Sequence, residues 1–165
     1  MVVKSPTSVH YHIYRTPDGF YLDGETLHML NEAEYLLGEK VPLYQGSYHK
    51  GVGASAGTHD KGGVIDNHPH TSKHTPDQIV RALRRVGFAA WHRKAVTGLW
   101  GEHIHAVDMQ NKDLTPIAAQ QVVAYKKGFN GLGHLGMGGP DDGPRVRIQT
   151  WDQYKKNHPK RFPKG

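Results

Sequence analysis

Apolar residues along this chain fall in short blocks separated by glycine-rich connections. Their spacing predicts three helices and several short strands. Between residues 24 and 37, Leu27, Leu30, Ala33 and Leu37 return at three- and four-residue intervals, the period of one helix face. Glu34 is the one polar intruder on that face. Asp23 stands where an N-cap belongs, and Gly38 where a C-terminal glycine belongs. Thr75-Pro76-Asp77-Gln78 marks a second helix start: a capping Thr, a Pro in the first turn and a Gln three residues on. That helix runs to about Arg85, with Ile79 and Leu83 inward and Gly87 ending it. A third helix opens at Thr115-Pro116 and continues through Lys127 to Gly128, with Ala118, Val122 and Tyr125 sharing a face.

Strands are expected at Tyr11–Tyr14, Val41–Gly46, Val64–Asp66, Val86–His92 and His103–Met109, the second weakened by Pro42. Residues 1–23 are otherwise polar and aromatic, with His10, His12, Phe20 and Tyr21 and a turn at Pro17-Asp18-Gly19. Long loops cover 47–63, 67–74, 93–101 and 128–144. The elements do not alternate as strand, helix, strand throughout. The expected class is therefore α+β: a small, mainly antiparallel sheet with flanking helices packed on one side. Residues 1–150 are expected to form a single domain. Residues 151–165 read as a basic C-terminal tail, with Trp151 and Tyr154 followed by Lys155, Lys156, Lys160, Arg161 and Lys164, and its end is expected to fray.

Composition narrows the chemistry. The chain has 165 residues, enough for a real core. It has no cysteine, which excludes disulfides, thiolate nucleophiles and cysteine-type zinc fingers. The net charge of +6 favours an anionic partner such as a cell-wall polymer or nucleic acid, or is simply solubilising charge. Met1-Val2-Val3-Lys4-Ser5-Pro6 leads into no apolar run of the signal-peptide kind. No apolar run approaches the roughly 20 residues of a membrane span.

The stretch Ser55-Ala56-Gly57-Thr58-His59-Asp60-Lys61-Gly62-Gly63-Val64-Ile65-Asp66 places a His and an Asp seven positions apart, with glycines on both sides of the His. Imidazole nitrogen and carboxylate oxygen are both good zinc ligands. Alone the pair means little in a chain with 13 His. Trp100-Gly101-Glu102-His103-Ile104-His105 supplies the remainder. His103 and His105 point to one face of a strand, and either is a candidate third ligand. A site with three protein ligands leaves a position for water and acidifies that water. Glu102 is the candidate to accept its proton, provided that it lies on the turn entering the strand, since strict alternation puts it on the face opposite His105.

Together these stretches resemble the D-Ala-D-Ala-type zinc peptidases, which share a fold with the N-terminal domain of Hedgehog proteins. The group includes D-Ala-D-Ala carboxypeptidases, dipeptidases and phage endolysins. Its first motif is SxHxxGxAxD, and its second is a Glu or Asp three residues before a His. His59, Gly62 and Asp66 match the first, with Val64 at the small apolar position; Glu102 and His105 match the second. The likeness covers residues 41–109. It implies His59, Asp66 and His105 as zinc ligands and Glu102 as general base. Gly57 stands at the Ser position, and no Arg occurs between Arg15 and Arg81, where the family places a substrate-binding Arg. Gln45 is a candidate to donate a hydrogen bond in its stead, or Lys50 to supply charge. Ser47, Thr58, Trp91 and Arg93 are expected to line the cleft.

Other readings are plainer. His103 is read as a supporting or exposed strand histidine, and Asp108 as a hydrogen-bonding orienter. His68, His70 and His74 are read as solvated, and Trp91 and Trp100 as core or cleft wall. The expectation is thus a monomeric zinc peptidase that hydrolyses peptidoglycan stem peptides or cross-links at the bacterial cell wall. It would be phage-encoded and released through a holin, or be a module of a larger protein. The alternatives are a non-catalytic metal-holding cell-wall module and a basic nucleic-acid-binding or nuclease domain.

Overall fold

A computed structural model describes residues 11–133 and 138–164. The N-terminal stretch with His10, residues 134–137 of the glycine-rich loop and Gly165 lie outside the described residues. The elements run β1 (Ile13–Arg15), β2 (Tyr21–Asp23), α1 (Gly24–Leu37), β3 (Leu43–Gln45), a 3-10 turn (Gly53–Ser55), β4 (Val64–Asn67), α2 (Pro76–Val86), β5 (Phe88–Arg93), β6 (His103–Asp108), α3 (Pro116–Lys126) and α4 (Trp151–Asn157). β1 and β2 form a hairpin, and the other strands form one antiparallel sheet in the order β3-β4-β6-β5. The fold is α+β, as expected. Among the described residues no helix is long and apolar enough to cross a membrane.

The helix boundaries follow from local chemistry. Asp23 caps α1 by accepting from Thr26 N, and Gly38 closes the helix at φ 67°. Thr75 and Gln78 form a reciprocal capping box at α2. Glu34, the polar intruder, is buried and accepts from Val41 N at 2.8 Å. It satisfies a backbone donor just past the end of α1, which is why a carboxylate is tolerated there.

The sheet is covered on both faces, which corrects the expectation of helices on one side. Alternate strand residues explain it. Ile65, Phe88, Ala90, Ile104 and Ala106 join residues of α1, α2 and α4 in one core. Val64, Ala89, Trp91 and Val107 join Ala118, Val122 and Tyr125 of α3 in a second. The metal-ligand candidates on the sheet belong to this second, smaller layer.

The basic tail also needs correction. Residues 151–157 are helical under a capping box formed by Thr150 and Gln153. Trp151 is 4% and Tyr154 1% exposed, and both belong to the larger core. Arg161 Nε lies 2.7 Å from Glu32 Oε2 on α1, and Tyr154 Oη donates to Glu32 Oε1 at 2.9 Å. Gly87 makes room for the start of α4: a Cβ there would fall 2.6 Å from Trp151 N, and its φ of +114° also disfavours a side chain. Trp151→Ala should therefore cost about 3–5 kcal/mol in urea unfolding, whereas a fraying tail would show almost no loss.

Candidate metal centre

Asp66 and His105 meet because β4 and β6 pair them directly: Asp66 is opposite His105, and Val64 opposite Val107. Both side chains of the first pair stand on the α3 face. His59 comes from the loop between β3 and β4, which doubles back so that His49 N donates to His59 O at 2.8 Å and Tyr48 N to Lys61 O at 2.9 Å. At the end of the loop, Gly63 has φ +80°, and a Cβ there would fall 2.6 Å from Leu114 and 2.8 Å from Asn111. No other residue fits that turn.

His59, Asp66 and His105 form a group able to hold a metal ion, with one ligand atom from each lying within 4.8 Å of the others. His59 Nε2 is 3.3 Å and His105 Nδ1 2.8 Å from Asp66 Oδ1. The far nitrogen of each imidazole is already committed. His59 Nδ1–H donates to Gly46 O at 2.8 Å. His105 Nε2–H donates to Gln121 Oε1 at 2.8 Å. The amide orientation of Gln121 agrees with this, since its nitrogen faces the Gly131 carbonyl. With those protons placed, each ring, when neutral, turns a lone pair toward the carboxylate. His59 Nε2 is buried with no hydrogen-bond partner.

The electrostatics sharpen the point. Burial lowers the pKa of His105, although Asp66 opposes this. Burial alone would raise the pKa of Asp66, but hydrogen bonds and charge from the two imidazoles outweigh it and hold the carboxyl well below its usual range, a pull that a ring exerts only with a proton facing Asp66. The group is thus one carboxylate and two imidazoles, of which His105 is held neutral, with its electron pairs converging. A cation resolves that conflict, and the carbonyl–imidazole and amide–imidazole contacts are the outer supports usual for metal-binding histidines.

A cavity of about 850 Å³ opens beside the group, lined by His59, Asp66 and His105 together with Gln45, Thr58, Arg93 and Glu102. His68, His70, Trp100 and His103 line it too. Thr58 is buried, and its hydroxyl donates to Ser55 O. Gln45 Nε2 donates to Ser55 Oγ at 3.1 Å, so part of its donor capacity is spent within the protein.

Two expected cleft residues sit elsewhere. Ser47 is buried behind the site, donates to Val64 O at 2.8 Å and ties the loop to β4. Trp91 lies under His105, with ring centroids 6.2 Å apart and planes 19° apart, and its Nε1 donates to Phe129 O. It backs a ligand and does not line the cavity.

Glu102 lies on the bend entering β6, yet its carboxylate is not part of the metal group. Glu102 Oε1 accepts from His92 at 2.6 Å and lies 3.2 Å from His70 Nε2. His92 pairs with Ile104 on the reverse face, as strict strand alternation requires. The hydrogen bond from His92, aided by His70, lowers the Glu102 pKa. His103 instead faces the site. Its Nδ1–H donates to Gly101 O at 2.8 Å, and its Nε2 lies 3.9 Å from Asp66 Oδ2. His68 and His74 are half-buried rather than solvated: His68 stacks on Tyr44, and His74 Nδ1 lies 2.7 Å from Glu39 Oε2. His70 is exposed. Asp108 is buried and accepts from Asn111 and from Gln110 N, the orienting part expected of it.

Gln121 was missed by sequence reasoning. It is a polar residue on the inner face of α3, buried and aimed at His105, and a Gln between Ala118 and Val122 on the predicted apolar face was the available signal. Compared with known proteins, the chain matches no protein-family model, no curated protein and no solved structure.

Two outcomes test the group. Gln121→Leu should weaken metal binding about 10–100-fold by titration against a chelator. Asp66→Asn should weaken it further. In the metal-free state Asp66→Asn should also raise the urea midpoint, by roughly 1 kcal/mol of stability, because its amide N–H donates to a lone pair that now meets a carboxylate.

Proposed function

We propose that this chain is a zinc-dependent peptidase of the D-Ala-D-Ala/Hedgehog-type fold that hydrolyses peptide bonds of bacterial peptidoglycan, in stem peptides or cross-links. One observation carries the reading: three potential ligand atoms converge on the wall of a cavity large enough for a peptide segment. Two imidazoles and one carboxylate suit zinc, and ligand atoms around a tetrahedral zinc at ~2 Å stand roughly 3.3 Å apart. The His59–Asp66 separation of 3.3 Å fits that spacing, and the His105–Asp66 separation of 2.8 Å would have to lengthen to admit the ion.

His59, Asp66 and His105 would hold the ion. When bound, zinc supplies a Lewis acid and an acidified water for attack on a carbonyl. The remaining task falls to a side chain that accepts the water's proton and returns it to the leaving amine. Glu102 is the residue that the family likeness nominates, and from its place at the cavity edge a rotation away from His92 would be needed. The geometry favours His103. Its Nδ1–H is fixed by Gly101 O, which leaves Nε2 as a base on the same side as Asp66. Thr58 and Gln45 offer polar contacts to the peptide, and Trp100 a wall. The net charge of +6 favours encounter with anionic cell wall, the site of action we assign.

A second reading, a metal-holding wall-binding module without hydrolysis, is favoured by the engagement of Glu102 with His92 and His70. Mass spectrometry of muropeptides after incubation with the zinc-loaded chain separates the two. Cleavage is expected, with zinc at one per chain. His103→Ala should lower kcat about 10²–10⁴-fold with zinc retained, and Glu102→Gln should lower it far less. Stoichiometric zinc with no new fragment from any muropeptide overturns the peptidase reading. A loss confined to Glu102→Gln returns the base role to that carboxylate.

A further inference from the structure

Arg93 is the one Arg or Lys on the cavity wall, and among the described residues no carboxylate forms an ion pair with it. It is 5% exposed. Its Nη1 donates to Asn130 O, and its guanidinium lies over the Trp91 ring at 4.8 Å. Among the described residues Nη2 is buried without any hydrogen-bond partner. Asp66 of the metal group is the acid whose field reaches Arg93 most strongly, ahead of Asp141 and Asp142, but none of the described carboxylates forms an ion pair with it, and Asp141 is taken by Arg84 at 2.9 Å. Burial lowers the Arg93 pKa to about 10, which still leaves it charged at neutral pH. A buried guanidinium with an unmet N–H is costly, and a structural role would be expected to give it a carboxylate.

Its position gives the cost a use. β5 and β6 pair Trp91 with His105 and Arg93 with His103. Arg93 thus stems from the same sheet face as the metal group, two residues or roughly 6.6 Å along the strand from the residue that backs His105. The backbone beside Nη2 is Gly131, where even a Cβ would stand 3.5 Å away, and Gly131 and Gly133 both line the cavity. A fork of N–H donors is the geometry that binds carboxylates in pairs of hydrogen bonds.

We propose that Arg93 is the anion subsite of this cavity and takes a carboxylate of the substrate beside the metal group. The inference rests on the peptidase reading for the identity of the substrate, a peptide, and adds that the peptide presents a carboxylate next to the bond that is cut. Gly131 gives way to admit it. A terminal α-carboxylate in this subsite makes the activity that of a carboxypeptidase; a side-chain carboxylate makes it that of an endopeptidase selective for an acidic residue.

The test follows the Arg93 guanidinium NMR signal of the zinc-loaded full chain during titration with three peptides. These are acetyl-D-Ala-D-Ala as the free acid, its C-terminal amide, and acetyl-D-Ala-D-isoglutamine, whose only carboxylate is on a side chain. We expect the free acid to bind at least tenfold more tightly than the amide. Arg93→Met should reduce that preference to less than twofold, and Arg93→Lys should keep part of it. Binding of the isoglutamine peptide at the strength of the free acid, with the amide weak, supports the subsite and assigns it to a side chain. Equal binding of acid and amide, no shift with any peptide, or an undiminished preference in Arg93→Met overturns the proposal. The comparison on the unaltered chain stands even where a variant fails to fold. Cleavage is read in the same samples. An Arg93-dependent preference without cleavage supports the subsite and removes the peptidase reading; cleavage with no preference removes the subsite alone.

Discussion

A carboxylate faced by two imidazole lone pairs is an arrangement that a protein interior resists. Asp66 has no donor from His59 or His105 when both rings are neutral, because Gly46 O and Gln121 Oε1 already take the protons on their far sides. Either a proton or a metal ion must sit between them. Burial opposes the proton on His105. A cation is one solution that the group could hold, and much of the local architecture serves to keep the three side chains together.

That service is visible in residues with no chemistry of their own. Ser47 donates to Val64 O and so pins the loop to the strand that carries Asp66. Gly63 lets the chain turn from the loop of His59 into that strand. Trp91 stacks beneath His105 and is itself held by Phe129 O and flanked by the Tyr125 ring. Removal of any of these leaves the ligands in the sequence but not at one point. The larger core on the opposite face supplies rigidity of a different kind, through α1, α2 and the buried aromatics of α4.

The local parts were legible in the sequence because their causes are local. Asp23, Thr75 with Gln78, Gly38 and Gly87 begin and end helices through contacts a few residues away. Spacing made His59 and Asp66 legible, and strand alternation left His103 and His105 open as the third ligand; the family likeness chose His105, which β4 and β6 place opposite Asp66. Strand alternation likewise warned that Glu102 would face away from His105, and the chain does turn it toward His92. What the sequence hid depends on partners far along the chain. α4 reads as a charged end because its lysines outnumber its aromatics, and only the groove beside Gly87 and Glu32 makes Trp151 and Tyr154 core residues. Gln121 and Ser47 are ordinary polar residues until the fold places them behind the site. The second helical layer was missed because β4, β5 and β6 are too short for alternation to reveal two buried faces.

Charge balance ties the site to its cavity. The ligand group carries −1 from Asp66. A divalent ion would turn that to +1, and Arg93 adds another positive charge on the same sheet face, with no ion-pair partner among the described residues. Glu102, the other acid on the cavity wall, is already engaged by His92 and His70. The loaded cavity is therefore positive in surroundings of low dielectric, where such a field acts strongly on whatever enters. In the peptidases that the sequence resembles, an upstream Arg is expected to place positive charge near the substrate. Here no Arg occupies that stretch, and Gln45 is neutral. The positive charge comes instead from the other edge of the sheet, on β5, and under the proposed function that is the side of the cleft on which an anionic group would be held.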